Sequence, residues 1–327
     1  MTPTDFAARL LAWFDRNGRH DLPWQHPRSP YRVWIAEIML QQTQVATVIP
    51  YFERFMAALP TLPELAAASE DRVLALWSGL GYYSRARNLH AAAKRCVQMH
   101  GGELPDDLDA LQALPGIGRS TAAAIRAQAF GQRDAILDGN VKRVLCRLFG
   151  IEGFPGERRI EQHLWTLAEQ LMPKQRCADY TQAIMDFGAT LCTRSRPACA
   201  LCPFGNDCQA RLLGKVDVLP TPRPRRSVPQ RDCVMLVLCD AKGRVLLQRR
   251  DGAGVWQGLW SLPQFDDHAG AREHARTLGA EDEGRAMPEI EHAFTHYRLR
   301  IRPHLMKVSR SSLRIADNPS TRWIDRA

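Results

Sequence analysis

Three of the four residues at 115–118 are Pro115, Gly116 and Gly118, within the run Leu114-Pro-Gly-Ile-Gly-Arg-Ser-Thr121. No helix persists through that density of proline and glycine, so the chain must turn sharply there. The following stretch, Ser120–Ala129, holds good helix formers with almost no side-chain bulk, and predicts a helix packed closely against a neighbour. A glycine hairpin that feeds a helix leaves backbone N–H groups pointing outward at the positive end of the helix dipole, an arrangement that binds phosphate. Further on, Asp138-Gly139-Asn140 precedes a second periodic run of Val141, Val144, Leu145 and Leu148. Asp138 therefore stands at a helix start. Taken alone, that position asks for nothing more than an N-cap aspartate.

Upstream of the hairpin everything reads as helix. Thr4 is expected to cap a helix ending near Gly18, and Pro30 to open one running from Tyr31 to about Val45. Within the second, Glu37 has Val33 one turn before it and Leu40 and Gln41 one turn after. A carboxylate on an apolar face has its charged form disfavoured and its pKa raised, which is what a general acid needs. A solvent-facing helix glutamate is the competing reading. Gln41-Gln42-Thr43-Gln44 is expected as a polar patch on the same helix. Further helices are predicted over 48–59, 62–68, 70–77, 86–100, 160–171 and 180–191. Gly79–Arg87 combines glycines, Tyr82, Tyr83, Arg85 and Arg87. Its rings could stack on or wedge between bases while its arginines meet phosphates, or it could be a plain interhelical loop.

Cys192, Cys199, Cys202 and Cys208 form a C-x6-C-x2-C-x5-C pattern. Four thiolates this close are the ligand set of a tetrahedral sulfur site, either structural zinc or a [4Fe–4S] cluster. Zinc sites generally use two short Cys pairs, and the single Cys-x2-Cys here favours the cluster. The other five cysteines are scattered in apolar contexts, so the set suits a reducing compartment, and the expected location is cytoplasmic. The net charge of +9 favours a polyanionic partner, nucleic acid before membrane. No apolar run reaches the ~18 residues of a membrane-spanning helix.

Residues 214–230 are rich in proline and arginine, and read as an extended linker between a helical domain, 1–213, and a second domain, 231–327. Beyond it Cys233–Cys239 and Arg244–Arg250 read as a hairpin, Gly252–Pro263 as a glycine–tryptophan loop, and Ala271–Leu278 as a short helix. Tyr297–Arg302 alternates, with Leu299 and Ile301 on one face and Arg298, Arg300 and Arg302 on the other. That pattern fits a half-buried strand with a solvated basic face.

Together, Leu22-Pro-Trp24, Glu37–Val45, Gly79–Leu89, Leu114–Ala122, Ile136–Val144 and the four cysteines resemble the MutY family of adenine DNA glycosylases. That family lies in the helix-hairpin-helix superfamily, with endonuclease III as a relative. The likeness is almost continuous over residues 5–210 and looser beyond. It implies a multidomain protein: an all-α helix-hairpin-helix glycosylase domain with a four-Cys iron–sulfur loop, followed by a smaller α/β Nudix-like domain. It also implies a [4Fe–4S] cofactor on Cys192, Cys199, Cys202 and Cys208. The implied activity is base excision repair, hydrolysing the N-glycosidic bond of adenine mispaired with 8-oxoguanine or guanine in duplex DNA. A monomer at the bacterial nucleoid is expected, with no membrane partner.

By the same resemblance Glu37 is the general acid toward adenine N7, Asp138 stabilises an oxocarbenium-like sugar, and Asn140 positions the site. Trp24, Leu40 and Gln182 resemble parts of the adenine pocket, Gln42 and Tyr82 wedge residues, and Thr43 and Leu80 contacts to 8-oxoguanine. Gly116, Gly118 and Ser120 belong to the phosphate-gripping hairpin. Relatives that also cut the backbone carry a lysine where this chain has Ser120. A serine cannot form a Schiff base, so base removal without strand cleavage is expected. In the second domain Phe294-Thr295-His296 resembles a lesion-contacting motif, with Thr295 and His296 as candidates. The helix there keeps only Glu273 of the glutamates that Nudix hydrolysis needs, which leaves a recognition role. The alternatives are an endonuclease-III-like glycosylase/lyase, against which Ser120 argues, and a non-catalytic lesion binder, against which Glu37 and Asp138 argue.

Overall fold

The computed structural model describes residues 1–224, 228–252, 254, 256–294, 296–308 and 320–325. The chain forms two compact units, Met1–Pro224 and Arg225–Ala327.

The first unit is helical. It runs α1 (Pro3–Asn17), α2 (Pro30–Leu40), α3 (Val45–Ala58), α4 (Leu62–Ala67), α5 (Glu70–Trp77), α6 (Ser84–Met99), α7 (Leu108–Gln112), α8 (Arg119–Phe130), α9 (Gly139–Phe149), α10 (Arg158–Leu171), α11 (Cys177–Asp186) and α12 (Gln209–Leu212). A π turn, Phe187–Leu191, extends α11. The cap of α1 is Thr2, not Thr4: its side chain accepts the Asp5 N–H, and Pro3, which has no N–H to satisfy, takes the first helical position. The larger correction is that α2 stops at Leu40, so Gln41–Gln44 form a turn rather than a helical patch. Gln42 takes a left-handed conformation, φ 59°, which ends the helix.

The hairpin 113–118 joins α7 to α8 as the glycine–proline run predicts. Ala122, Ala123, Ala124 and Ala127 are buried along α8, which packs on α2 and α11. Residues 214–224 lie on the helical unit: Leu219 is buried, and its carbonyl accepts the Arg147 Nε at 2.9 Å.

The second unit is a sheet with one helix. Its elements are β1 (Gln230–Cys239), β2 (Val245–Arg249), β3 (Trp260–Ser261), β4 (Gln264–Phe265), α13 (His268–Thr277), β5 (Arg285–Ala286), β6 (Ile290–Ala293), β7 (Arg298–Lys307) and β8 (Thr321–Ile324). Strand order is β3-β2-β1-β7-β5, with β4 on β1, β6 on β7 and β8 on β2. β1 and β7 pair in parallel from Gln230↔Arg298 to Cys239↔Lys307. The apolar run of β1 is continuous because both faces are covered: Leu236 and Leu238 meet Ala275 and Met306, while Cys233 and Met235 meet Leu299 and Ile301. On the other face of β7, Arg300 and Arg302 reach Asp232 at 2.6 and 2.9 Å.

The hairpin's conformation rests on one glycine more than on the other. Gly116 has φ +78°, and a Cβ there would stand 2.8 Å from Asn88 Cβ; at Gly118 φ is ordinary and a Cβ would meet nothing. Gly116→Ala is expected to lower stability by about 1–3 kcal/mol. Gly118→Ala, the loss of a favourable N-cap only, should cost under about 1 kcal/mol. Urea unfolding of both variants checks this, and equal losses would contradict it.

Candidate active site

A cavity of about 600 Å³ opens in the helical unit where α2, α9 and α11 meet. Trp24, Glu37, Leu40, Thr43, Asn140 and Gln182, singled out from sequence, all line it, together with Arg19 and Arg143. Glu37 projects from α2, and its carboxyl is pushed up to about 7. Burial is the main cause, the negative charge of Asp138 adds to it, and a hydrogen bond from Gln128 opposes it. The glutamate is therefore not on a solvent-facing helix surface.

Asp138 does cap α9, as the simpler reading of the sequence holds. Its Oδ1 accepts the Val141 N–H at 2.7 Å and its Oδ2 the Asn140 Nδ2 at 3.3 Å. The cap is also buried, which raises its pKa, while the N–H groups of Val141 and Asn140 and the Arg143 guanidinium pull it back. Arg143 donates to Asn140 Oδ1 at 2.8 Å, to the Gly188 carbonyl at 2.7 Å and to the Cys192 carbonyl at 2.8 Å. Across the cavity the buried Asp186 accepts the Arg19 N–H and Nε and, at 2.8 Å, the Gln182 amide nitrogen. Arg19, Glu37, Asn140 and Gln182 are thus each held by a second buried or half-buried group.

Gln42 and Tyr82 do not line the cavity. Both are exposed, and both sit at positive φ, 59° and 48°, on the two loops beside it. Non-glycine residues hold such conformations only when their surroundings impose them. Arg85 does so here. Its guanidinium is buried and donates to the carbonyls of Ile38, Met39 and Gln41, to Thr43 Oγ1, and to the carbonyls of Leu80 and Gly81. Burial pushes its pKa down to about 10. Sequence reasoning offered Arg85 to phosphates; the structure instead makes it the peg beneath both loops. Leu80, offered as a lesion contact, is buried in the same loop.

Cys192, Cys199, Cys202 and Cys208 line one small apolar cavity. Burial and the three neighbouring sulfurs push the Cys202 thiol up to about 11; burial also raises Cys192, where Arg147, its Nη1 3.5 Å from Sγ, works the other way. Phe204, inside the loop, is fully buried against Phe6 with ring centroids 4.9 Å apart. Among the described residues no three His, Cys, Asp or Glu side chains close on a point tightly enough to hold a metal ion. The donors are four soft sulfurs around a shared apolar space with cations behind them, and this set fits an iron–sulfur cluster.

Ser120 Oγ accepts the Leu137 N–H at 3.0 Å, tying α8 to the segment that leads into Asp138. Gly116 and Gly118 are exposed at the hairpin. In the second unit His296 is exposed, and Thr295 lies outside the described residues. A larger cavity there, about 810 Å³, is lined by Arg231, Arg250, Trp256, Tyr297 and Asp232. Hydrogen bonds from Arg300 lead the interactions that hold Asp232 far below the usual carboxylate range, so it offers no proton for acid catalysis. Sequence reasoning missed Gln128 and Asp186. Gln128 carried a signal, as a buried amide on an otherwise alanine-rich face; Asp186 carried none.

A helix-hairpin-helix beside a cavity holding a raised-pKa carboxyl defines a class, the base excision DNA glycosylases. Residues 35–170 match the HhH-GPD superfamily of base excision DNA repair proteins, and residues 234–327 match the NUDIX domain. The chain is 35% identical to the adenine DNA glycosylase of Buchnera aphidicola (from Acyrthosiphon pisum), over 99% of this chain and 92% of that one. It is equally similar to the human adenine DNA glycosylase, over 98% of this chain and 70% of that one. The chain belongs to the adenine DNA glycosylase family. Among solved structures, a thermostable thymine-DNA glycosylase superposes with a TM-score of 0.60 at 29% identity, covering 64% of this chain and 97% of that one. An endonuclease III–DNA complex shares the fold, with a TM-score of 0.56 at 24% identity, covering 65% and 98%.

Arg85→Met removes the donors of several buried carbonyls at once and is expected to lower stability by about 2–3 kcal/mol. Arg85→Lys should recover little, because a point charge on a flexible stem cannot reach both loops as a planar fork does. Chemical denaturation measures both. A loss under about 0.5 kcal/mol in Arg85→Met would show that these carbonyls find other partners.

Proposed function

We propose that this glycosylase hydrolyses the N-glycosidic bond of adenine mispaired with 8-oxoguanine, or with guanine, in duplex DNA, and leaves the strand uncut. One observation carries the reading: a buried carboxyl with a pKa of about 7, beside a second carboxylate, on the wall of a base-sized cavity. Adenine is a poor leaving group as an anion. Glu37 gives its proton to N7 as the C1′–N9 bond breaks, and positive charge gathers on the sugar. Asp138 stays ionised and stabilises that charge. The Glu37 carboxylate then takes a proton from the incoming water and returns to its acid form. Asn140 and Arg143 orient Asp138, and Trp24, Leu40 and Gln182 form the walls for the base, which must leave the stack to reach them.

Gln42 and Tyr82 act as wedges, Thr43 and Leu80 as contacts to the orphaned 8-oxoguanine, and the hairpin at Gly116, Gly118 and Ser120 as a backbone grip. Thr295 and His296 serve recognition by the second unit. The helix His268–Thr277 carries Glu273 as its one carboxylate, which supports recognition over nucleotide hydrolysis. Cys192, Cys199, Cys202 and Cys208 would hold a [4Fe–4S] cluster, whose role is to fix the loop next to Arg143 and Arg147. A monomer acting on the bacterial nucleoid suits the net charge of +9. Among the described residues no helix is long and apolar enough to cross a membrane.

The test is single-turnover incubation with a duplex holding one A:8-oxoguanine pair, with and without alkali. Strand breaks are expected only after alkali. Glu37→Gln should lower the rate at least about 10²-fold, and Asp138→Asn by about 10²–10³-fold. Because the acid acts protonated, the rate should fall as pH rises through about 7. Tight binding with no base release by the unmutated protein would mean a lesion binder and end this reading.

A further inference from the structure

Gln128 lies on α8 with only 4% of its surface exposed, one of few buried polar side chains in the helical unit. Its Nε2 stands 2.8 Å from Glu37 Oε1. The contact exists because α8 packs on α2, and two turns before Gln128, on the same helix face, Thr121 Oγ1 meets the Gln41 amide at 3.4 Å. The two helices are pinned at both ends of this face, and the glutamine end carries the acid.

We propose that Gln128 is the positioning residue for Glu37, deciding which carboxyl oxygen holds the catalytic proton and how readily it leaves. This rests on Glu37 being the acid. An amide N–H can only donate, so Oε1 stays an acceptor in both protonation states, and the proton resides on Oε2, the oxygen left for the cavity. The same hydrogen bond favours the carboxylate. It opposes burial and the charge of Asp138, so Glu37 releases its proton near neutral pH instead of retaining it. Among the described residues no other charged group competes at close range. The Arg85 guanidinium of α6 is spent on carbonyls past Glu37, and Arg19 and Arg143 across the cavity are engaged by Asp186 and by Asn140, Gly188 and Cys192.

The experiment is the pH dependence of single-turnover adenine release from an A:8-oxoguanine duplex, for the unmutated protein, Gln128→Met and Gln128→Glu, with duplex affinity and melting temperature measured alongside. Gln128→Met keeps the volume and loses the donor. Its alkaline limb should move up by about one pH unit, and its maximal rate should fall severalfold with affinity unchanged. Gln128→Glu adds a carboxyl that must share a proton with Glu37, and should move the limb further in the same direction. A limb that stays in place in both variants, or moves down, overturns the proposal; a downward shift would mean that the amide oxygen, not the nitrogen, faces Glu37. If one variant does not fold, the other decides. Glu37→Gln separates this inference from its premise: undiminished base release would remove Glu37 as the acid, whereas lost release with an unmoved Gln128→Met limb would remove Gln128 alone.

Discussion

The close approach of α2 to α8 is the constraint on which the rest of the site depends. Buried alanines at 122, 123, 124 and 127 leave α8 with little side-chain bulk toward the helices packed around it. Glu37 is desolvated in this packing, and it keeps a hydrogen bond because the packing is not wholly apolar. The same helix begins at the hairpin, so the segment that can face the DNA backbone and the segment that supports the acid are one rigid rod.

Arg85 solves a related problem at the other end of α2. The last carbonyls of a helix have no partner within it and carry the negative end of its dipole. A buried guanidinium without a carboxylate is normally costly, but here the carbonyls and the negative dipole end of the helix offset part of that cost. Because the fork is planar and has donors to spare, it also takes the Leu80 and Gly81 carbonyls of the neighbouring loop. The left-handed conformations of Gln42 and Tyr82 then follow from the one cation that both loops surround.

Much of this was legible in the sequence, for identifiable reasons. Proline and glycine at 115–118 leave few conformations, so the hairpin could be placed at once; the alternation after Tyr297 gave a strand. The four-cysteine spacing marked a set of sulfurs that the fold gathers around one small cavity. The end of α2 was not legible, because nothing local in Met39-Leu-Gln-Gln-Thr-Gln breaks a helix and the terminator comes from Arg85 on another element. Arg85 itself was misread, since an arginine among aromatics looks the same in sequence whether it faces phosphate or carbonyls. The parallel pairing of β1 with β7 joins residues 68 apart in the chain, and no local pattern encodes it. Asp138 shows the opposite case: the simple reading as a cap holds, and the donors that cap α9 also hold the carboxylate next to Glu37.

Those donors explain how two neighbouring carboxyls come to differ. Burial raises the pKa of both. Asp138 receives two backbone N–H groups and the Asn140 side chain, with the Arg143 guanidinium close by. Glu37 receives one amide, from Gln128. Where two acidic groups share a low-dielectric site, a shared proton goes to the one with fewer donors, and its partner's charge holds it there. Of the two, Glu37, with its single donor and a pKa of about 7, is the one that holds a proton the more readily. The start of α9 thus does double duty: the backbone geometry that begins the helix also supplies the donors that favour the Asp138 carboxylate.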